Sequence, residues 1–269
     1  MSRILLFRFH KDLEIARERV KILQLYNPHV PIHALYGGEI ELANEAEIAL
    51  RDYVESFWVF PELRKKDWKW MHTDLMTKSW YKDVGSHIEF DHLYSYEYDL
   101  LTLAPLQDIY PNVVGSDIAL SAAEIFTKQI EENWYWTSKE PALTQYKKYC
   151  EYMKSHYNLD RQSMVCLGPG PLLSKEFLRQ FSAEPDSEFV HEELTLPAYA
   201  EIFGIHIKNT GMHPGFFAYS DDDKYFSCVE NAMVSWKTIQ ECLRSDNSRR
   251  SFHPVKYMVT KDSVEKLGV

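Results

Sequence analysis

The chain opens with a short unbroken apolar run, Ile4-Leu5-Leu6-Phe7, the pattern of a strand buried on both faces. From Asp12 the period changes. Apolar residues fall at Leu13, Ala16, Val20, Leu23 and Leu25 with charges between them, which predicts an amphipathic helix with Asp12 as its N-cap. Asn27-Pro28 ends that helix, and residues 31–36 read as a second strand closed by Gly37-Gly38. Strand, helix and strand joined this tightly form a βαβ unit, which offers its ligand site at the carboxyl ends of its strands. That directs attention to residues 8–12 and 37–41.

Further along, residues 45–54 and 68–84 are expected as helices, separated by the break at Val59-Phe60-Pro61. His92-Leu93-Tyr94-Ser95-Tyr96 fits a strand that runs into Glu97-Tyr98-Asp99, and Pro105 and Pro111 mark loops. Residues 119–133 read as loosely helical and 144–156 as a clearer helix. Val165-Cys166-Leu167 is a strand before Gly168-Pro169-Gly170-Pro171, and Ser174 caps a helix to Phe181. Residues 192–203 form another helix, with Pro197 marking its first turn. Ile205-His206-Ile207 is a strand, 229–243 a helix, and 252–256 an extended return over the domain. No linker divides the chain, so the expectation is one α/β domain over 1–269, with a central, mostly parallel sheet flanked by helices.

Composition narrows the partners. A formal net charge of −10 argues against a nucleic-acid binder, although a few local Arg and Lys residues suffice to hold a diphosphate. Cys150, Cys166, Cys228 and Cys242 form no close pair, so free thiols in a reducing, cytoplasmic setting are expected. The first ten residues are too short and too charged for a signal peptide, and no window approaches the ~20 apolar residues of a membrane span. Contact with a lipid-linked acceptor would then be peripheral. The 7 Trp, 17 Tyr and 14 Phe belong first to a core; some can line a cleft that stacks bases and sugar rings.

The triplet Glu97-Tyr98-Asp99 carries the sharpest chemistry. In an extended segment, residues i and i+2 point the same way. Two carboxylates at the end of a buried strand repel each other, and a divalent cation with a preference for oxygen ligands, Mg²⁺ or Mn²⁺, resolves the conflict. A solvated acidic turn is the alternative.

Taken together, a first strand with basic residues at its end, a Tyr-Gly-Gly after the second and a Glu-Tyr-Asp after a central strand resemble the GT-A glycosyltransferases, whose signature is an acidic-x-acidic motif that binds metal and diphosphate. The resemblance spans about residues 3–256. Leu167 to Ser174 is similar to the segment before the acceptor-side helix. His191-Glu192-Glu193-Leu194 with Pro197 resembles the acidic helix start that holds the base of inverting members. Gly211-Met212-His213-Pro214 resembles the C-terminal loop whose histidine completes the metal site.

That resemblance implies a GT-A-like, Rossmann-like fold in which about 1–110 binds the nucleotide sugar, UDP-linked, and about 111–269 binds the acceptor and supplies the tail. It implies Asp99, Glu97 and His213 as ligands of Mn²⁺ or Mg²⁺. Glu97 replaces the commoner Asp, so Asp99 is the safer ligand and Glu97 touches the ribose or reaches the metal through water. Glu193 is then the base and Glu192 a hydroxyl anchor, or the reverse. Arg8, His10 and Lys11 would meet the base or diphosphate, Asp74 or Lys78 would border the nucleotide, and His253 and Lys256 would close over the diphosphate. Two other readings stay open. A nucleotidyltransferase would usually carry a Gly-rich loop after the first strand, and Phe9-His10-Lys11-Asp12 has no glycine. A catalytically silent sugar- or partner-binding module on the same fold is the other.

Overall fold

A computed structural model describes residues 2–61, 64–213, 215–217, 224–229, 232–245 and 248–267. The expected opening unit is present as strand β1 (Arg3–Phe9), helix α1 (Leu13–Tyr26) and strand β2 (Ile32–Tyr36). Helix α2 (Ala43–Leu50) and strand β3 (Ser56–Val59) follow, then α3 (Lys66–Met71), α4 (Thr73–Asp83), β4 (His92–Glu97), the two-residue β5 (Leu101–Thr102) and α5 (Leu106–Ile109). The second half holds β6 (Ile118–Ile125), α6 (Lys128–Asn133), α7 (Tyr135–Ser138), α8 (Ala142–Tyr157), β7 (Met164–Ser174), α9 (Lys175–Ala183), α10 (Glu192–Ile202), β8 (Ile207–Asn209), α11 (Trp236–Arg244), β9 (Ser251–Phe252) and α12 (Lys261–Glu265).

Seven strands form one sheet in the order β3-β2-β1-β4-β7-β6-β8. All its pairings are parallel except those of β7, which runs antiparallel to both neighbours. The sheet is thus mostly parallel and flanked by helices, as expected. Its two faces are sorted by the period of two along β1. Leu5, Phe7 and Phe9 pack with Tyr94 and Tyr96 of β4 against Ala16, Val20 and Leu23 of α1. Ile4 and Leu6 pack with Leu93 of β4 under α4, α9 and α10, through Trp80, Phe177 and Tyr199. Arg8 and Glu97 continue this second row, so both are aimed at the face that α4 and α10 cover.

Several sequence expectations are corrected. Asp12 lies in the left-handed region (φ 53°) with no side-chain cap; its backbone oxygen instead receives the Ala16 N–H at 2.9 Å. The helix expected over 68–84 is two helices with a break at His72. Residues 119–133 divide into strand β6 and helix α6. The run Ala119-Leu120-Ser121-Ala122 is helix-compatible by propensity, but it lies buried between β7 and β8, and tertiary packing overrides propensity. Strand β7 does not stop at Leu167 but runs through both prolines to Ser174, whose hydroxyl caps α9 as expected. Residues 230–231 of the helix expected over 229–243 lie outside the described residues; α11 begins only at Trp236, capped by Ser235. Pro197 sits inside α10, not in its first turn. It cannot donate to the Glu193 carbonyl four residues back. Cys166 does so instead, its thiol 3.5 Å from that oxygen.

Beyond the sheet, the C-terminal segment returns as expected. Strand β9 pairs antiparallel with β5, immediately after the acidic triplet, and the Val255 N–H donates to the Asp99 carbonyl at 2.7 Å. Arg19 of α1, 1% exposed, donates to the carbonyls of both Tyr98 and Val255 and ties the two segments together. No helix among the described residues is long and apolar enough to cross a membrane.

Candidate active site

Arg8 and Glu97 stand opposite each other in the β1–β4 register, at the carboxyl ends of adjacent parallel strands. Their side chains share a face, and Arg8 Nη2 donates to Glu97 Oε1 at 2.6 Å. Arg8 Nη1 lies 3.6 Å from Glu192 Oε2. Arg8 is therefore the hinge of charge between the strand-end acids and the helix-start acids. Glu97 keeps 23% side-chain exposure, yet burial pushes its carboxyl up to about 8 against the pull of Arg8, with Glu192 and Asp99 adding repulsion.

Asp99 lies in the turn after β4. One ligand atom each from Glu97, Asp99 and His253 falls within 4.8 Å of the others. The histidine comes from the returning segment, and its orientation is specific. His253 Nδ1 is 2.7 Å from the Ser227 carbonyl, which can only accept, so the proton sits on Nδ1. Nε2 is left with its lone pair, 3.8 Å from Asp99 Oδ1. Burial holds this ring below the ordinary histidine range, in the neutral form. A neutral imidazole with its other nitrogen on a carbonyl is the usual arrangement of a metal-ligating histidine. Lys256 Nζ approaches the other Asp99 oxygen at 3.9 Å. Two carboxylates and one imidazole fit Mn²⁺ well and Mg²⁺ through the oxygens.

Glu192 and Glu193 occupy the first turn of α10, where their charge complements the helix dipole. The cap is His191, whose Nδ1 accepts from the Glu193 N–H at 3.3 Å. Glu193 Oε1 accepts from the Gly168 N–H at 2.7 Å and Oε2 from the Trp136 indole at 2.8 Å. Burial pushes its carboxyl up to about 8 against these two bonds. Glu192 Oε2 accepts from the Thr73 hydroxyl. Gly168 of β7 passes so close that a Cβ there would lie 3.4–3.5 Å from both acids.

Asp74 and Lys78 share α4 at i and i+4 but do not pair with each other. Asp74 is buried with no side-chain partner for either oxygen, and burial followed by repulsion from Glu192 raises it to about 8. Lys78 points to the α9–α10 connection, donating to the Glu184 carbonyl at 2.7 Å and pairing with Asp186 at 2.7 Å. Its ammonium is thus spent on a loop. His10 and Lys11 both lie on the Tyr98 ring, at 5.3 and 6.0 Å.

His213 is not part of the Glu97–Asp99–His253 cluster. Its Nδ1 accepts from the Gly215 N–H at 3.0 Å and its ring meets Phe226 edge-on at 5.7 Å; Pro214, expected to shape this turn, lies outside the described residues. The histidine that lies beside Glu97 and Asp99 is His253, which the resemblance placed over the diphosphate. Thr73, Trp136 and Arg19 were not expected, and His191 was expected only as part of the acidic helix start, not as its cap.

No family model matches the chain, and no curated protein matches it. Among solved structures it is similar to the galactosyltransferase LgtC in complex with donor and acceptor sugar analogues, at 15% identity over 82% of this chain and 74% of that one, with a TM-score of 0.41. An active-site mutant of LgtC aligns at 12% identity over 98% and 93%, with a TM-score of 0.43. Mouse xyloside xylosyltransferase 1, in its apo form, aligns at 13% identity over 78% and 85%, with a TM-score of 0.37.

Proposed function

We propose that this chain is a metal-dependent, inverting glycosyltransferase that moves a sugar from a nucleoside diphosphate sugar, UDP-linked, to an acceptor hydroxyl. The observation that carries the reading is the Glu97–Asp99–His253 cluster at the carboxyl edge of the central strands, joined through Arg8 to the buried acids of α10. Asp99, His253 and Glu97 would hold Mn²⁺ or Mg²⁺. When bound, the cation supplies positive charge to the departing diphosphate.

The chain's own residues have distinct tasks. Arg8, Lys256 and Lys11 offer positive charge to the phosphates, and His10 with Tyr98 offers a surface for the base. Glu193 takes the proton of the acceptor hydroxyl as that oxygen attacks the anomeric carbon. The bond from that carbon to the diphosphate oxygen breaks, and its electron pair leaves with the diphosphate. A carboxyl raised to about 8 is a stronger base than an exposed one, which suits it to a hydroxyl proton. Glu192, held by Thr73 and Arg8, orients a sugar hydroxyl. In this reading residues up to about 110 hold the donor, and the remainder of a single domain holds the acceptor and closes the metal site. The free cysteines support a cytoplasmic setting.

Calorimetry of UDP binding tests the reading. Affinity should be higher with Mn²⁺ than with a chelator, and Asp99→Ala should erase the difference. Equal affinity with and without metal would overturn it.

A further inference from the structure

Beside Glu193 lies a group of aromatic rings of which Trp136 packs against an interior cluster while two others are not used by the core. Trp70, at the end of α3, is 61% exposed, and Tyr135, at the start of α7, is 51% exposed. Neither belongs to any of the four apolar clusters of the interior. Yet they are not scattered. Trp136 gathers them: its ring centroid lies 5.8 Å from Trp70 and 5.1 Å from Tyr135, and its inner neighbour His191 is stacked 4.8 Å away, only 12° from parallel. Trp70 also meets His191 at 5.4 Å. Three segments far apart in sequence thus deliver rings to one place.

The inner edge of this group is polar. The Trp136 indole N–H donates to Glu193 Oε2, and His191 caps the helix that carries both acids. Two residues after Trp70 comes His72, and then Thr73, which donates to Glu192. An aromatic corner, outermost at Trp70 and Tyr135, therefore ends at a buried pair of carboxylates.

We propose that a pyranose ring of the acceptor stacks on the exposed Trp70, with Trp136, tilted 42° from it, and Tyr135, 77° from Trp136, walling its side, so that the acceptor is a carbohydrate. The proposal rests on the glycosyltransferase reading for the word acceptor. A pyranose has an apolar face of C–H groups and a rim of hydroxyls. Rings take the face, as aromatic residues do at binding surfaces generally, and the carboxylates take the rim. An acyl chain would gain nothing from carboxylates at the end of its groove, and desolvating them would cost it affinity. A peptide would need a free strand edge or paired pockets. Bound in this way, one sugar hydroxyl comes to Glu193 while the ring covers Trp70.

The test uses the full chain and an immobilised array of defined oligosaccharides, with labelled protein applied in Mn²⁺ and UDP. The wild type should bind a subset of pyranosides. Trp70→Ala should weaken that binding roughly tenfold or more, and Trp70→Phe should stay within about threefold, because the face is kept. Trp70 is exposed, and an unchanged melting temperature would show that the variants fold. A wild type that binds no oligosaccharide, or Trp70→Ala binding as the wild type does, overturns the proposal. A separate titration of the wild type with UDP and Mn²⁺ reads the parent claim. If UDP fails to bind while Trp70-dependent glycan binding persists, the transferase reading falls and the aromatic corner stands.

Discussion

The molecule carries two acidic pairs that look alike on paper and are built in opposite ways. Glu97 and Asp99 follow a strand, two residues apart, and their ligand atoms converge with that of His253. Glu192 and Glu193 open a helix, one residue apart, and diverge: one turns to Thr73 and Arg8, the other to Gly168 and Trp136. The first pair converges with an imidazole, the arrangement a cation would use. In the second, Glu193 is spread between two N–H donors that favour its charged form, while burial works against them. Backbone geometry, more than residue type, separates the convergent pair from the divergent one.

The sharpest way to break this contrast is to change charge in the second pair alone. Glu193→Gln should cut turnover by roughly 10²–10⁴-fold while UDP binding with Mn²⁺ stays as in the wild type. Gln also turns one accepting oxygen into a donor facing another donor. Trp136→Phe controls for this, since it removes the same bond and keeps the carboxylate, and it should cost far less turnover. Steady-state kinetics with calorimetry on both variants reads the outcome; near-normal turnover in Glu193→Gln would remove its role.

A second change sharpens the first pair. His253→Ala should weaken metal-dependent UDP binding by about 10–100-fold and shift preference from Mn²⁺ toward Mg²⁺. His213→Ala, outside the cluster, should leave both nearly unchanged. The reverse pattern would return the ligand role to His213.

The third effect is on stability. Lys78→Met leaves the carbonyls of residues 184 and 185 without their donor, at a cost of about 1–3 kcal/mol. UDP affinity should not move. A drop in affinity with unchanged melting temperature would place Lys78 at the nucleotide after all.

A fourth effect is on pH dependence. Asp74 is raised from an ordinary carboxyl value to about 8, so the folded state holds its proton where the unfolded chain releases it. Its contribution to stability is therefore complete below pH ~4 and is lost as pH rises toward 8. Asp74→Asn, measured by thermal melts, should raise the melting temperature at pH 8 and leave it unchanged at pH 4. Equal shifts at both values would rule out titration of this group as the cause.

Much of the frame was legible in the chain. The change of period at Asp12, the doublet Gly37-Gly38 and the apolar strand before Glu97 define three parallel neighbours and the edge where chemistry gathers. At Gly38, a Cβ would collide with the His10 backbone, which explains why the two strand ends can lie so close. What escaped was set by contacts across the chain. Residues 119–122 carry no alternation because both faces are covered, so their pattern could not distinguish strand from helix. Trp136, Thr73 and Arg19 have no local signature, since each acts on a residue dozens of positions away. His213 and His253 precede a proline alike, and only the pairing of β5 with β9 decides which reaches Asp99.

That pairing also orders events in time. It joins a strand near residue 101 to one near residue 251, with more than half of the chain between them, and contacts of such long range form slowly. Until it forms, His253 is nowhere near Asp99, and Arg19 has only one of its two carbonyls to grip. A partly folded chain that has already assembled β1, β2 and β4 would own the two carboxylates without the imidazole. If the cluster takes up Mn²⁺ as proposed, tight uptake arises late in folding and reports completion: a refolding reaction followed by Mn²⁺ uptake should lag one followed by the formation of the central sheet.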